Sequence, residues 1–263
     1  MPEKVDIVIL HQLARSGGTL ISRCLASMDK VNLLSEIHPC GSPEPGLLQQ
    51  AHLWFGLLNE QEMTSVPLKN QQDFSQAVAL LAERAAQQKK QLVIRNWSHL
   101  DYIGLPFLAQ PLMRPSLRLA LQPIARLREA VTVRHPIYQW LSMQRLVILQ
   151  GKLNLADYLR GYLRFLEDNK GLPVMRYEDF CQQPEKNMQV FCTAAGLDYD
   201  AAFIQKWAAY EQITGDSASG AGQRENILPV KAAPVPADLL QAFANQPDYH
   251  SILKLLGYRH PVT

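Results

Sequence analysis

The sequence predicts an α/β fold, a parallel sheet of about five strands flanked by helices, and three observations carry that prediction. Short apolar runs recur along the chain, each followed by a turn and then a segment of helical period, the order expected of crossover-connected parallel strands. The first run opens onto a Gly-containing loop that leads straight into a helical pattern. The 263 residues are 47% hydrophobic with 14 Gly and 17 Pro, a globular composition long enough to bury a full core. There is no internal repeat, so residues 1–263 read as one domain.

The elements follow in order. Residues 5–10 (VDIVIL) form the first strand, and residues 18–28 carry Leu20, Ile21, Cys24, Leu25 and Met28 at a period near 3.6. Residues 31–35 form a second strand, stopped by the Pro-rich HPCGSPEPG. Helical patterns at 47–58 and 74–88 precede a third strand at 91–97 (QLVIRNW). The fourth strand, 130–134 (AVTVR), ends at Pro136 and a helix runs from 137 to 149. A helix at 155–166, a fifth strand at 173–177 (PVMRY) and helices at 185–195 and 202–210 complete the core. Residues 214–234, polar and rich in Gly and Ser at their start, read as a mobile loop over the site. A Pro-rich bend and two short helices close the chain.

Composition excludes several classes. Lys and Arg number 26 against 24 Asp and Glu, a net charge of +2, so there is no basic excess to neutralise a nucleic acid. Cys24, Cys40, Cys181 and Cys192 form no CxxC pair, which argues against a zinc site, and their sparse use suits a reducing compartment. The N-terminal apolar run is too short for a signal core or a membrane span. The expectation is a cytoplasmic protein with neither a nucleic-acid nor a membrane partner and no metal. The sequence specifies no oligomeric state.

The sharpest local feature is Ala14-Arg15-Ser16-Gly17-Gly18-Thr19-Leu20, between the first strand and the first helix. A Gly-containing turn there frees backbone N–H groups, and the helix start adds a positive dipole end, together an anion cradle. Arg15 supplies a bidentate phosphate donor, and Ser16 and Thr19 supply hydroxyls. The loop is not a Walker A sequence, because Gly18 stands where the Lys belongs. An ordinary tight turn with a surface Arg is the plain alternative. Downstream, Arg134 leaves the fourth strand and Ser142 follows eight residues later, with Pro136 in the first turn of the helix between them. Two anion sites on two strand–helix units imply a ligand with phosphates at both ends; the plain alternative for Arg134 is a strand-end ion pair.

These motifs resemble those of the sulfotransferases that use 3′-phosphoadenosine 5′-phosphosulfate (PAPS). RSGGTL resembles their 5′-phosphosulfate loop, and VRHPIYQWLS their 3′-phosphate motif, followed in the family's order by Tyr177-Glu178-Asp179. The resemblance spans residues 5–180 and implies a P-loop-like fold. It implies Arg15, Ser16, Gly17, Gly18 and Thr19 on the 5′-phosphate and Arg134 with Ser142 on the 3′-phosphate. Arg15 stands where many cytosolic members have Lys, which is similar to the tyrosylprotein branch and many bacterial members. Residues 214–226, with Gly220, Gly222 and Arg224, are the candidate adenosine clamp, and Tyr177 the candidate to stack on adenine.

Sulfuryl transfer needs a base for the acceptor proton and charge stabilisation on the leaving phosphate, with no metal. Glu36, at the end of the second strand in Ser35-Glu36-Ile37-His38, is the first choice; its setting resembles the catalytic Glu of the tyrosylprotein and heparan-type enzymes. His99 is the rival, with the better unperturbed pKa, although the family's Lys-x-His stands here as Arg95-x-Trp97. Arg95 is then the candidate to act on the transferring group. His38 and His135 read as bystanders, and His11 as a possible lining residue without a motif. The acceptor is a hydroxyl or amine of a small molecule, carbohydrate or peptide. A P-loop nucleotide kinase and a degenerate nucleotide-binding scaffold are the competing readings.

Overall fold

The computed structural model describes residues 4–215, 226–228 and 234–261. Five strands, β1 (Val5–Gln12), β2 (Val31–Ile37), β3 (Gln91–Asn96), β4 (Ala125–Val133) and β5 (Val174–Arg176), form one sheet in the order β2-β3-β1-β4-β5. Every neighbouring pair is parallel, in agreement with the crossover pattern of the sequence. The strands are buried on both faces: Val8 and Leu10 point into one core, Ile7 and Ile9 into the other. That explains why the apolar runs are continuous rather than alternating.

Helices Gly18–Ala26 and Pro184–Ala195 cover the first face through Ile21, Leu25, Met188 and Phe191. Helix Gln71–Gln87 covers the other through Phe74, Val78 and Leu81. A third cluster joins helix Leu155–Asp168 to the two terminal helices, Ala237–Ala244 and Pro247–Leu256, through Phe165, Phe243, Tyr249 and Ile252. Each such side chain contributes about 1.5–3 kcal/mol by leaving water, so the C-terminal helices belong to the domain. The chain leaves β1 toward the β2 edge and leaves β4 toward the β5 edge. The crevice between the carboxyl ends of β1 and β4 is therefore the topological switch point, where open parallel sheets bind ligands.

Several bounds differ from expectation. β1 runs on to Gln12, so His11 lies within the strand. β4 begins at Ala125, because Arg126 and Arg128 alternate with less exposed residues and hide the strand from an apolar-run reading. The expected helix at 47–58 stops at Leu53, where Gly56 takes a left-handed φ of 58° and Leu57 and Leu58 turn back into the core. The one at 137–149 stops at Gln144 and resumes as a 3-10 turn, Val147–Leu149. The 202–210 pattern is split into Phe203–Lys206 and a 3-10 turn, Trp207–Ala209.

The stretch expected as a mobile loop, 214–234, begins with a fixed residue: Thr214 is buried and hydrogen-bonded. Residues 216–225 and 229–233, with Gly220, Gly222 and Arg224, lie outside the described residues. Among the described residues, no helix is long and apolar enough to cross a membrane, and no cluster of His, Cys, Asp and Glu is arranged to hold a metal ion.

Candidate active site

The loop after β1 ends in Gly17, which sits at the N-cap of helix Gly18–Ala26 with φ 87°. Only glycine fits there: a Cβ on Gly17 would collide with the Tyr177 ring, and one on Gly18 with the Gln12 side chain. The helix start has no side-chain cap, so among the described residues no side chain accepts from its first N–H groups, which face the crevice. Ser16 Oγ is buried and has no hydrogen-bond partner. Arg15 itself adopts φ 65°, a left-handed conformation that costs a non-glycine residue about 1–3 kcal/mol and recurs at binding sites.

The structure brings the two predicted anion motifs together. Arg15 Nε donates to Ser142 Oγ at 2.9 Å, and Arg134 Nη1 donates to the Arg15 carbonyl at 3.3 Å. Gln139 Nε2 donates to the Ala14 carbonyl at 2.6 Å, fixing the loop to the helix that carries Ser142. The Arg134 guanidinium lies 5.1 Å over the Tyr177 ring, and its Nε is buried with no hydrogen-bond partner. Tyr177 thus buttresses both Gly17 and Arg134 and is 9% exposed.

Glu36 reaches the same crevice by a break in the sheet. The β2–β3 register shifts between Leu34 and Ile37, and Glu36 takes φ 56° there. Such bulges re-aim a side chain beside a site, and this one turns the carboxylate toward Arg95. Arg95 Nη2 lies 3.3 Å from Glu36 Oε1 and also 3.3 Å from Thr19 Oγ1, which ties the Glu36 carboxylate to the loop after β1. Nη1 donates to Ser35 Oγ at 3.2 Å and to the Thr214 carbonyl at 3.0 Å. With the Gln12 amide turned so that its oxygen faces the guanidinium, Gln12 accepts from Nε, and from Nη2 at 2.9 Å. Arg95 is 5% exposed, and all its nitrogens are used inside the protein, which makes it an organiser of Glu36 more than a hand for a transferring group.

His99 is 3% exposed. Its Nε2 donates to the Leu105 carbonyl at 2.5 Å, which leaves the lone pair on Nδ1, and Nδ1 is buried with no hydrogen-bond partner. Burial pushes its pKa down, against the opposing effects of the Leu105 carbonyl and the Glu36 charge. The bystander histidines have both ring nitrogens in use: His38 with Asp101 and Cys40, His135 with Arg259 and Ile137. His11 is not a lining residue, because its ring is 1% exposed and held between Glu129 at 2.8 Å and Asn96 at 3.1 Å. Of the aromatics that follow β3, Tyr102 is core, whereas Trp97 and Phe107 form an edge-on pair with centroids 4.8 Å apart and Phe107 is exposed.

Sequence reasoning missed Thr214, Ser35 and Gln12. Ser35 stands beside the chosen Glu, and Gln12 precedes the loop, but Thr214 reaches Glu36 across 178 positions and carries no local signal.

No family profile matches the chain, and no curated protein sequence does. Solved structures do. The sulfotransferase domain from the curacin biosynthetic pathway superposes with a TM-score of 0.66 at 17% identity, covering 98% of this chain and 99% of that one. The sulfotransferase domain from the Synechococcus PCC 7002 olefin synthase gives 0.66 at 18% identity, covering 99% and 98%. The described residues therefore have the sulfotransferase-like, P-loop-like α/β fold, C-terminal helices included.

Proposed function

We propose that this protein is a PAPS-dependent sulfotransferase that moves a sulfuryl group onto a hydroxyl or amine. The observation that carries the proposal is the contact of Arg15 with Ser142, which merges the loop after β1 and the β4 motif into one cradle at the switch point. In this reading the loop N–H groups with Arg15, Ser16, Gly17, Gly18 and Thr19 take the 5′-phosphosulfate. Arg134 and Ser142 take the 3′-phosphate, and Tyr177 backs that end; Arg224 is carried as part of the adenosine contact.

The acceptor oxygen or nitrogen attacks sulfur in line, the sulfur–oxygen bond to the nucleotide breaks, and its electron pair leaves on the 5′-phosphate. The acceptor proton passes to Glu36, as in the branch of the family with a Glu base, while cationic and N–H donors stabilise the leaving phosphate. A second reading of the base has its own observation, the unpartnered Nδ1 of His99. Glu36 is preferred because Arg95 holds it beside Thr19 of the loop. The chemistry calls for no metal, and acceptors among small molecules, carbohydrates or peptides fit the reading. The sparse cysteines of the sequence, none in a CxxC pair, favour a reducing compartment such as the cytoplasm.

Thermal unfolding with 3′-phosphoadenosine 5′-phosphate (PAP), AMP, ADP and ATP–Mg²⁺ tests the proposal. A ligand of the native state stabilises it by about 2.7 kcal/mol at a hundredfold excess over Kd. The expected result is a clear rise in Tm with PAP and little with the others. A rise with ATP–Mg²⁺ alone moves the protein to the kinases, and no rise with any of them contradicts a nucleotide site.

A further inference from the structure

Thr214 is buried, and each of its polar atoms is engaged around Glu36. Its N–H donates to Ser35 Oγ at 3.2 Å, and its carbonyl accepts from Arg95 Nη1 at 3.0 Å. Its Oγ1 lies 2.8 Å from Glu36 Oε2 and 2.8 Å from Ser35 Oγ. A hydroxyl has one proton, and an ionised carboxylate only accepts. Thr214 therefore donates to Glu36, and Ser35 donates to Thr214. Ser35 Oγ in turn accepts from Arg95 Nη1 and from the Thr214 N–H, so every proton in the chain is assigned.

The two oxygens of Glu36 are left unequal. Oε2 is held by the 2.8 Å bond from Thr214, whereas Oε1 has the 3.3 Å contact with Arg95. We infer that Thr214 is a positioning residue for sulfuryl transfer. Its hydroxyl ties down Oε2 and leaves Oε1 as the oxygen that takes the acceptor proton. The inference rests on the function proposed above. Gly215 follows from the same geometry: its backbone has φ 80°, and a Cβ there would lie 3.1 Å from both carboxylate oxygens. A side chain at this position would crowd the carboxylate from a backbone conformation that favours glycine. Among the described residues, the charged or titratable groups facing Glu36 are Arg95 from β3 and His99 from the turn after it, whose own protonation feels the Glu36 charge.

The test uses the 263-residue protein as wild type, Thr214→Val, Thr214→Ser and Ser35→Ala. One readout is release of PAP from PAPS with 2-naphthol as the probe acceptor and with water alone, resolved into kcat and KM; the other is the Kd for PAP. Thr214→Val is expected to lower kcat about tenfold, the worth of one hydrogen bond to a charged group, with the KM for PAPS and the Kd for PAP unchanged. Ser35→Ala is expected to lower kcat by less, and Thr214→Ser to match wild type. An unchanged kcat in Thr214→Val overturns the inference, as does a Thr214→Ser variant that loses as much as Thr214→Val or a Kd for PAP that weakens in step with kcat. If wild type releases no PAP, the functional reading fails and this inference fails with it; turnover that ignores Thr214 defeats the inference alone.

Discussion

In the crevice between β1 and β4, Ser16 Oγ and Arg134 Nε are buried without a hydrogen-bond partner; around Arg95 every nitrogen of the guanidinium is matched by the protein itself. Buried polar atoms are normally satisfied, because leaving one unpaired costs about 1–3 kcal/mol. On the proposed function, the first region keeps donors for acceptors that a ligand brings. The second is complete in the free protein, as a group that must stay in place during a reaction should be. In that reading binding and chemistry are divided between two neighbouring clusters, and Thr19, touched by Arg95 Nη2, belongs to both.

That division is open to direct test. The largest effect is expected from Glu36→Gln, which keeps the shape and the Thr214 contact but removes the base. Turnover should fall about 10²–10⁴-fold, the usual worth of a general base, with PAP affinity intact by calorimetry. If His99→Ala has that effect and Glu36→Gln does not, the base has been assigned to the wrong residue. Next in size is Arg95→Met, which strands Glu36 and the hydroxyls around it. Breaking a buried pair by removing one partner costs about 3–5 kcal/mol, to be read from urea denaturation. Arg134→Met should cost clearly less, since part of its guanidinium is unmatched, and equal losses would erase the distinction between the two regions.

Gly17→Ala tests the loop, where the positive φ alone is worth about 1–3 kcal/mol and the added methyl meets Tyr177. Its expected phenotype is loss of PAP binding together with lowered stability, and normal binding would rule out the tight loop as the phosphate cradle.

The smallest effect concerns pH. Burial holds His11, His99 and His135 below the ordinary histidine pKa. The unfolded chain then binds more protons than the native state as the pH drops below about 6.5. The stabilisation these neutral rings provide is complete above that pH and is lost as pH falls through their folded values. Tm should decline from pH 7.5 toward pH 5, and a flat profile would mean the rings are protonated in the native state at no cost.

The two regions also differ in how far the sequence exposes them. Ala14–Leu20 and Arg134–Ser142 are contiguous segments at strand–helix junctions, and their glycines, Arg and hydroxyls are readable without knowledge of the fold. Glu36 is readable as a strand-end acid, but its aim depends on a register shift against β3 that appears only once the strands pair. Thr214 and Gln12 are unreadable, because their roles come from distant residues meeting at Arg95. His11 was misplaced for a local reason: the polar pair His11-Gln12 looks like the end of a strand, yet β1 continues through it, with His11 satisfied by Glu129 and Asn96. The parallel five-stranded sheet was legible from its apolar runs, whereas the start of β4 was hidden by its alternating arginines.

The proposed function requires that the two anion motifs grip two ends of one ligand. Calorimetric Kd values for PAP and AMP, in wild type and Arg134→Ala, measure this directly. Wild type is expected to prefer PAP by about tenfold or more, the worth of hydrogen bonds to a charged group. Arg134→Ala should lose that preference while keeping its affinity for AMP. Equal weakening of both nucleotides, or a wild type that binds them equally, would contradict it.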